Sequence, residues 1–503
     1  MEEPLKCVLM LSLKQLALRR VAVLLWCDSD ILASISKFPI QGYYTEECKK
    51  LWRETILDKV VDKVSKLELP KLLTKQVIDV VYPIGVEIRR WKESHEEIFI
   101  VSIEDINVLD WVKPCFTTAG TIDDKKTAEE LLRCDALSVR HRYEVACFYC
   151  LEYYIPLLWE ELPGEMKDHY QNKNNSSDLY FCWPHVLKGE LSKLDYLWRI
   201  EDRKLTSFNQ WAFEQSVEHD NKAAAEYFFV NLTHKEREAS LMRSAHAVLA
   251  NHDFDEEMFS GVVCYLLSVM TPEQQMEAIK AHPVHVLLCF WDLPLRDLFL
   301  ENVGLIWTFL PPSGYGDLLS KMANRFSYSS HYFPKLFREF FMQSPLDFKK
   351  YFVVKESQFG ILYACRFLYV FLESADSESI EVLFRNVDAA DRVRLLFHRS
   401  VLEELFVKSI LMNRWHMAEV CLREATLSKG DKERLKEIFK EFIRKGYFSI
   451  PFNPFIGRSR GMPQTEWGNL KLERVFEFLD EPYASADKRR KSQKRKLEDF
   501  SPE

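Results

Sequence analysis

Three stretches of this chain repeat one another at nearly constant spacing, and that constrains the fold more than any single motif does. Tyr227-Phe228-Phe229-Val230-Asn231-Leu232-Thr233 is matched by Tyr265-Leu266-Leu267-Ser268-Val269-Met270-Thr271, and again by Leu305-Ile306-Trp307-Thr308-Phe309-Leu310-Pro311, at intervals of 38 and 40 residues. Looser echoes end at Phe341 and Leu372, each 31 residues further on, so the period drifts as it does in degenerate helical arrays. The blocks also share a chemistry. Thr233 is followed by Glu236, and Thr271 by Gln274 with Pro272 at the first helical position, the capping-box pattern that closes the start of a helix. Ser344-Pro345-Leu346-Asp347 has the same form. An apolar helix, a short break and a newly capped helix, recurring in this way, predict an antiparallel helix-pair solenoid.

The rest of the chain agrees with a helical reading. Between Asp431 and Gly446 the apolar residues Leu435, Ile438, Phe439, Phe442 and Ile443 fall on one helical face and charged residues on the other, with Asp431 placed to cap the start and Gly446 to end the helix. Alternating stretches are few, and the best of them, Glu97 to Ile103, stands alone. With 15 glycines in 503 residues, phosphate-cradling loops and tightly turned β folds are disfavoured. The 35 Phe, 20 Tyr and 12 Trp need a large core or a partner's groove to cover them. The predicted fold class is all-α. An N-terminal helical region spans 1–175 and a helix-pair solenoid of degenerate ankyrin-like repeats spans 176–450. A loop with a short terminal helix follows over 451–480, then a disordered basic tail over 481–503. The polar run from Asn172 to Asp178 and the proline-bearing run from Phe452 to Gln464 mark the joints.

Two stretches, Ala212 to Phe229 and Val407 to Leu422, are similar to ankyrin helix-turn-helix units but lack the Thr-Pro-Leu-His turn. Several words are shared with a family of arthropod helical-repeat proteins related loosely to ankyrin arrays. They are Leu69-Pro70-Lys71-Leu72-Leu73 with Gln76, Lys125-Lys126-Thr127-Ala128-Glu129, Tyr149-Cys150-Leu151-Glu152, Ser192-Lys193-Leu194-Asp195-Tyr196, and Asn221-Lys222 with Ala224-Ala225-Glu226-Tyr227-Phe228. The chain resembles that family over about residues 5 to 330. The resemblance implies a fold and carries no activity.

The search for chemistry is mostly negative. No nucleophile elbow, phosphate loop, dinucleotide fingerprint or kinase motif occurs, and acid pairs such as Glu160-Glu161 diverge on a helix. Cys147-Phe148-Tyr149-Cys150 is a lone C-x-x-C in a helical, aromatic run, so its thiols are expected to be buried. His282 and His285 lie three apart with no third ligand at helical spacing. The sequence therefore names no catalytic residue, no metal ligand and no cofactor.

Two features point to partners. Seven of the nine residues from Lys488 to Lys496 are basic (Lys488, Arg489, Arg490, Lys491, Lys494, Arg495, Lys496), a form that an importin groove accepts in extended conformation. Residues 1–486 carry 61 basic and 72 acidic side chains, a net of −11, so a broad nucleic-acid-binding surface is disfavoured. The second feature runs from Ser12 to Val21. It resembles the Ser-Leu-x-x-Leu-Cys-x-x-x-Ile helix by which SOCS-box proteins engage elongin C, with Leu13, Leu16, Ala17 and Val21 at the contact positions and Ala17 in place of the cysteine.

The start Met1-Glu2-Glu3 lacks the positive region of a secretory signal, and the twelve cysteines are scattered rather than clustered. The stretch from Val8 to Trp26 carries Lys14, Arg19 and Arg20 and reads as an amphipathic helix, not a membrane span. The expectation is a nuclear or cytoplasmic, non-catalytic scaffold for an unidentified protein partner. A ubiquitin-ligase adaptor engaging elongin C through residues 12–21 is the alternative.

Overall fold

The computed structural model describes residues 5–6, 10–38, 48, 51–100, 113–172, 178–199, 205–250, 260–291, 295–328, 334–356, 361–405, 415–444 and 467–480. Among these residues every regular element is helical, and β pairing is confined to two isolated antiparallel bridges, Phe116 with Ile122 and Glu356 with Leu362. The chain packs as two units. One is residues 1–310 with 328–331, and the other is residues 311–327 with 332–503. The division falls inside the stretch read from the sequence as one array.

The first unit begins with α1 (Leu13–Trp26), α2 (Ser29–Ser36), a π-turn at Arg53–Leu57 running into α3 (Asp58–Ser65), and the long α4 (Lys71–Ile100). Ser12 and Gln15 close the start of α1 as a capping box. Trp26 ends α1 in complete burial, stacked on Trp52, and its indole Nε1 donates to Val81 O at 2.9 Å, two residues before the Pro83 that interrupts the hydrogen-bond ladder of α4. Glu97 to Ile100, the best strand candidate in the sequence, instead form the last turn of α4, and 101–103 lie outside the described residues. Extending an existing helix gains one hydrogen bond per residue fixed, whereas a strand needs a partner strand.

A cluster of short helices follows: α5 (Asp124–Leu132), α6 (Val139–Phe148), α7 (Tyr154–Glu161), α8 (Gly164–Asn172), α9 (Leu179–Leu187) and α10 (Asp195–Arg199), with α6 packed on α5, α7 and α9. Next come α11 (Phe208–Glu218), α12 (Lys222–Val230), α13 (His234–Ala250), α14 (Ser260–Val269), α15 (Pro272–Ala281), α16 (Pro283–Cys289) and α17 (Phe299–Ile306). Along this stretch helices pack two apart: α11 on α13, α12 on α14, α13 on α15, and α14 on α16. The repeated blocks end α12 and α14 and open α13 and α15. Both capping boxes form: Thr233 N donates to Glu236 Oε2 at 2.8 Å, and Thr271 N donates to Gln274 Oε1 at 3.0 Å. A buried Glu214 on α11 ties this row to α13, accepting from Ser240 Oγ at 2.5 Å and Arg243 Nε at 3.1 Å.

The second unit contains α18 (Pro312–Tyr328), α19 (Pro334–Gln343), α20 (Leu346–Val354), α21 (Tyr363–Glu373), α22 (Ser377–Arg385), α23 (Ala389–Phe397), α24 (Arg399–Glu404), α25 (Trp415–Glu424), α26 (Lys429–Arg444) and α27 (Trp467–Asp480). Here the packing interval is three helices: α19 on α22 on α25, α20 on α23, and α21 on α24. Phe337, Phe341, Phe352, Phe367 and Phe371 form the aromatic core. Ion pairs run along the first row, from Arg338 to Asp376 at 3.3 Å and from Arg385 to Glu424 at 2.7 Å.

Two details depart from the sequence reading. Ser344 does not cap α20. Its hydroxyl is buried, donates to Phe340 O at 2.9 Å and accepts from Tyr315 OH at 3.0 Å, which leaves Pro345 at the cap position without a side-chain cap bond. In α26 the cap is Ser428, and Asp431 is its reciprocal partner, accepting from Ser428 N at 3.1 Å. Gly446 lies outside the described residues.

Glycine scarcity has a structural counterpart in the turns. Cys150, Asp220 and Ala375 each take the left-handed conformation between two helices, at φ 50°, 53° and 54°. The next residue in each case donates back to the carbonyl five earlier: Leu151 to Ala146, Asn221 to Ser216, and Asp376 to Phe371, at 2.8, 2.8 and 2.9 Å. The helix-turn-helix read from Ala212 to Phe229 is the second of these. The start of its counterpart from Val407 lies outside the described residues.

Candidate functional site

The face of α1 that its packing leaves open is singled out by both sequence and structure. Its inner side is fixed. Ala22, Val23 and Trp26 are buried, and Arg19, also buried, pairs with Asp297 at 2.8 Å and donates to Ala119 O. Gln15 Nε2 donates to the same Asp297 at 3.2 Å. On the outer side Leu13 is 86% exposed and Leu24 55%, with Ala17 exposed between them, while Met10, 84% exposed, lies ahead of the helix. Spacings of four and seven place Leu13, Ala17 and Leu24 on one stripe of the helix, with exposed Lys14 and Arg20 alongside it. Of the four positions that the SOCS-box likeness picks out, Leu13 and Ala17 stand on this stripe, while Leu16 and Val21 are half-buried at its margin. Covering a Leu or Met completely is worth about 1.5–3 kcal/mol, so the stripe is costly to leave in water.

The remaining sequence candidates carry less. Cys147 and Cys150 are buried, and burial pushes both thiols up, away from the reactive thiolate form. Cys150 Sγ faces Cys147 O, and Trp183 Nε1 donates to that same carbonyl at 3.2 Å, so the pair belongs to the packing of α6 on α9. Glu160 and Glu161 are exposed and diverge, one toward Lys167 at 3.8 Å and the other toward Arg142 at 3.5 Å. Among the described residues no three His, Cys, Asp or Glu side chains are grouped to hold a metal ion, and no helix is long and apolar enough to cross a membrane. The seven basic residues between Lys488 and Lys496 lie outside the described residues.

Two groupings were not legible in the sequence. Asp124, at the first turn of α5, and Asp220, in the left-handed turn between α11 and α12, are both pushed up, to about 7 and about 8. Burial is the main cause for each. Glu87 on α4 raises both further, and Asp124 raises Asp220, while Lys222 and Arg90 act in the opposite sense on Asp124 and Asp220 respectively. Asp220 Oδ1 is enclosed without a hydrogen-bond partner. The second grouping brings His246 onto His282, 36 residues away, with Nδ1 and Nε2 3.1 Å apart. Neither follows a spacing rule, because each is assembled from separate helices.

The fold thus defines a helical protein with an open apolar helix face and ionisable groups brought together from separate helices. No protein-family model matches the chain, and no curated protein matches it.

Proposed function

We propose that the protein is a non-catalytic scaffold, a solenoid of degenerate ankyrin-like helix pairs that binds another protein. Packing two helices apart in the first unit supports stacked helix pairs, since stacked repeats contact mainly their neighbours along the row, while the second unit forms a row at a three-helix interval. The observation that carries the binding role is the outer stripe of α1, Leu13, Ala17 and Leu24, held outward by a buried opposite side. With Lys14 and Arg20 beside it, the stripe suits a partner whose apolar groove is bordered by acidic residues.

The test is affinity capture of the tagged protein from its native cells beside a Leu13→Asp variant. Partners that depend on Leu13 support the proposal, and an unchanged set removes this face from it. The exposure of Leu13 favours one specific second reading, a ubiquitin-ligase adaptor engaging elongin C through residues 12–21. Purified elongin C retained by the wild type and lost with Leu13→Asp supports it, and no retention by the wild type ends it. Import into the nucleus through Lys488 to Lys496 rests on the sequence, and removal of residues 487–503 tests it by the protein's distribution in the cell.

A further inference from the structure

The histidine pair joins two helices of the first unit that follow one another in a packing row. His246 lies in α13, and His282 is the residue between α15 and α16. Their ring nitrogens are 3.1 Å apart and their ring centres 5.2 Å apart, so one imidazole donates and the other accepts. The pair is not sealed off: the His246 side chain is 35% exposed, and protons reach it from solvent.

We propose that His246 and His282 form a proton-sharing latch between α13 and the α15–α16 junction, one that holds with no proton or one proton on the pair and releases when both rings are charged. With the pair neutral the contact is an ordinary hydrogen bond. One added proton turns it into an imidazolium–imidazole bond, which is shorter and stronger. A second proton leaves two donors and no acceptor, with two positive charges about 5 Å apart. At an effective dielectric of about 20 that repulsion separates the two proton-binding steps by about two pH units.

One carboxylate offsets part of this repulsion, and among the described residues no other charge adds to that offset. On α15, Glu277 Oε1 is 4.0 Å from His246 Nε2, on the far side of that ring from the shared contact, and Lys280 is turned over the Phe309 ring. On α16, His285 adds a third imidazole, 6.3 Å from His282 between ring centres. On α13, Arg243 is committed to Glu214. On α14, Tyr265 has Glu226 and Arg237 as its charged neighbours, and Glu301 of α17 pairs with Lys6. Burial and the nearness of His246 both hold His282 below the usual imidazole range, in the direction the latch requires.

The experiment follows imidazole titration by NMR in the full chain labelled at histidine, with His246→Gln and His282→Gln used for assignment. Backbone hydrogen exchange over 272–289 is measured in parallel at pH 7 and pH 5. The expected result is two coupled steps more than about one pH unit apart, collapsing to a single step for the remaining ring in either variant. Exchange at pH 5, corrected for its intrinsic pH dependence, should exceed that at pH 7 by about tenfold in the wild type. It should show no such excess in the double Gln variant, whose amides hydrogen-bond at either pH. If one single variant fails to fold, the other breaks the same coupling. Rings that titrate independently, or an exchange excess that survives in the double variant, would overturn the latch.

Discussion

Replacing Gly85 by alanine sets two effects of known size against each other. In the interior of a helix alanine is better than glycine by about 0.8–1 kcal/mol, and α4 places Gly85 well inside its span. A Cβ built there, however, falls 2.4 Å from Trp26 Cζ2 and 2.7 Å from Cη2, far inside ordinary contact. The indole has little room to retreat, because it is fully buried, bonded through Nε1 to Val81 O and stacked on Trp52. Overpacking of this kind costs about 1–3 kcal/mol, and an indole pushed off its carbonyl adds about 1–3 kcal/mol for the unsatisfied buried group. The clash therefore wins, and Gly85→Ala is expected to destabilise the α1–α4 contact by about 1–5 kcal/mol.

Gly304 supplies the control, since it is exposed within α17 and a Cβ there meets nothing within 4 Å. Gly304→Ala should stabilise by about 0.5–1 kcal/mol. Urea unfolding of both variants, followed by hydrogen exchange over residues 13–26 and 299–306, reads the two signs separately. Equal stabilisation by both substitutions would refute the packing of Trp26 against α4.

Three further outcomes follow from the same reasoning. Because Asp124 and Asp220 bind protons more tightly folded than unfolded, their contribution to stability is complete below the ordinary carboxyl range near 3.8 and is lost as pH rises through about 7 to 8. Thermal melts at pH 5 and pH 8.5 should accordingly show a smaller loss in Asp124→Asn/Asp220→Asn than in the wild type, and an equal loss would contradict the assignment. Thr271→Ala, which removes a capping box, should cost about 1 kcal/mol as measured by the urea midpoint, whereas Leu346→Ala, at an exposed first-turn position, should stay within about 0.5 kcal/mol. Ala375→Gly relieves a left-handed alanine and should stabilise the second unit by about 1 kcal/mol, read as a higher urea midpoint, a gain absent if that turn is wrongly placed.

Particular residues show where the sequence was readable. Thr233 and Thr271 announced the starts of α13 and α15 because capping is local: one hydroxyl, one side chain three residues on, and an apolar run behind them. The same pattern at Ser344 misled, because Tyr315 claims the hydroxyl from 29 residues away, and no local rule contains that partner. The turns at Cys150 and Ala375 were hidden because glycine, the usual signal, is absent from them, whereas the turn at Asp220 was legible from the polar break inside Ala212 to Phe229. Glu97 to Ile100 alternate like a strand yet finish a helix, since tertiary context outweighs a short propensity signal. For the functional face the sequence supplied the helix and the likeness at Leu13 and Ala17. Only the packing of α1 on α4 decided which side stayed open, adding Leu24 to it.

The central claim, that the outer stripe of α1 is a protein-binding face, is most directly tested by quantitative capture from native cells with three proteins in parallel. These are the wild type, Leu13→Asp/Leu24→Asp, and Leu72→Asp, which alters an exposed leucine on α4 instead. With helical circular dichroism unchanged in all three, a partner retained by the wild type and Leu72→Asp but lost at least tenfold with the α1 variant is the predicted result. Retention of the same partners at the same level by all three proteins would contradict it.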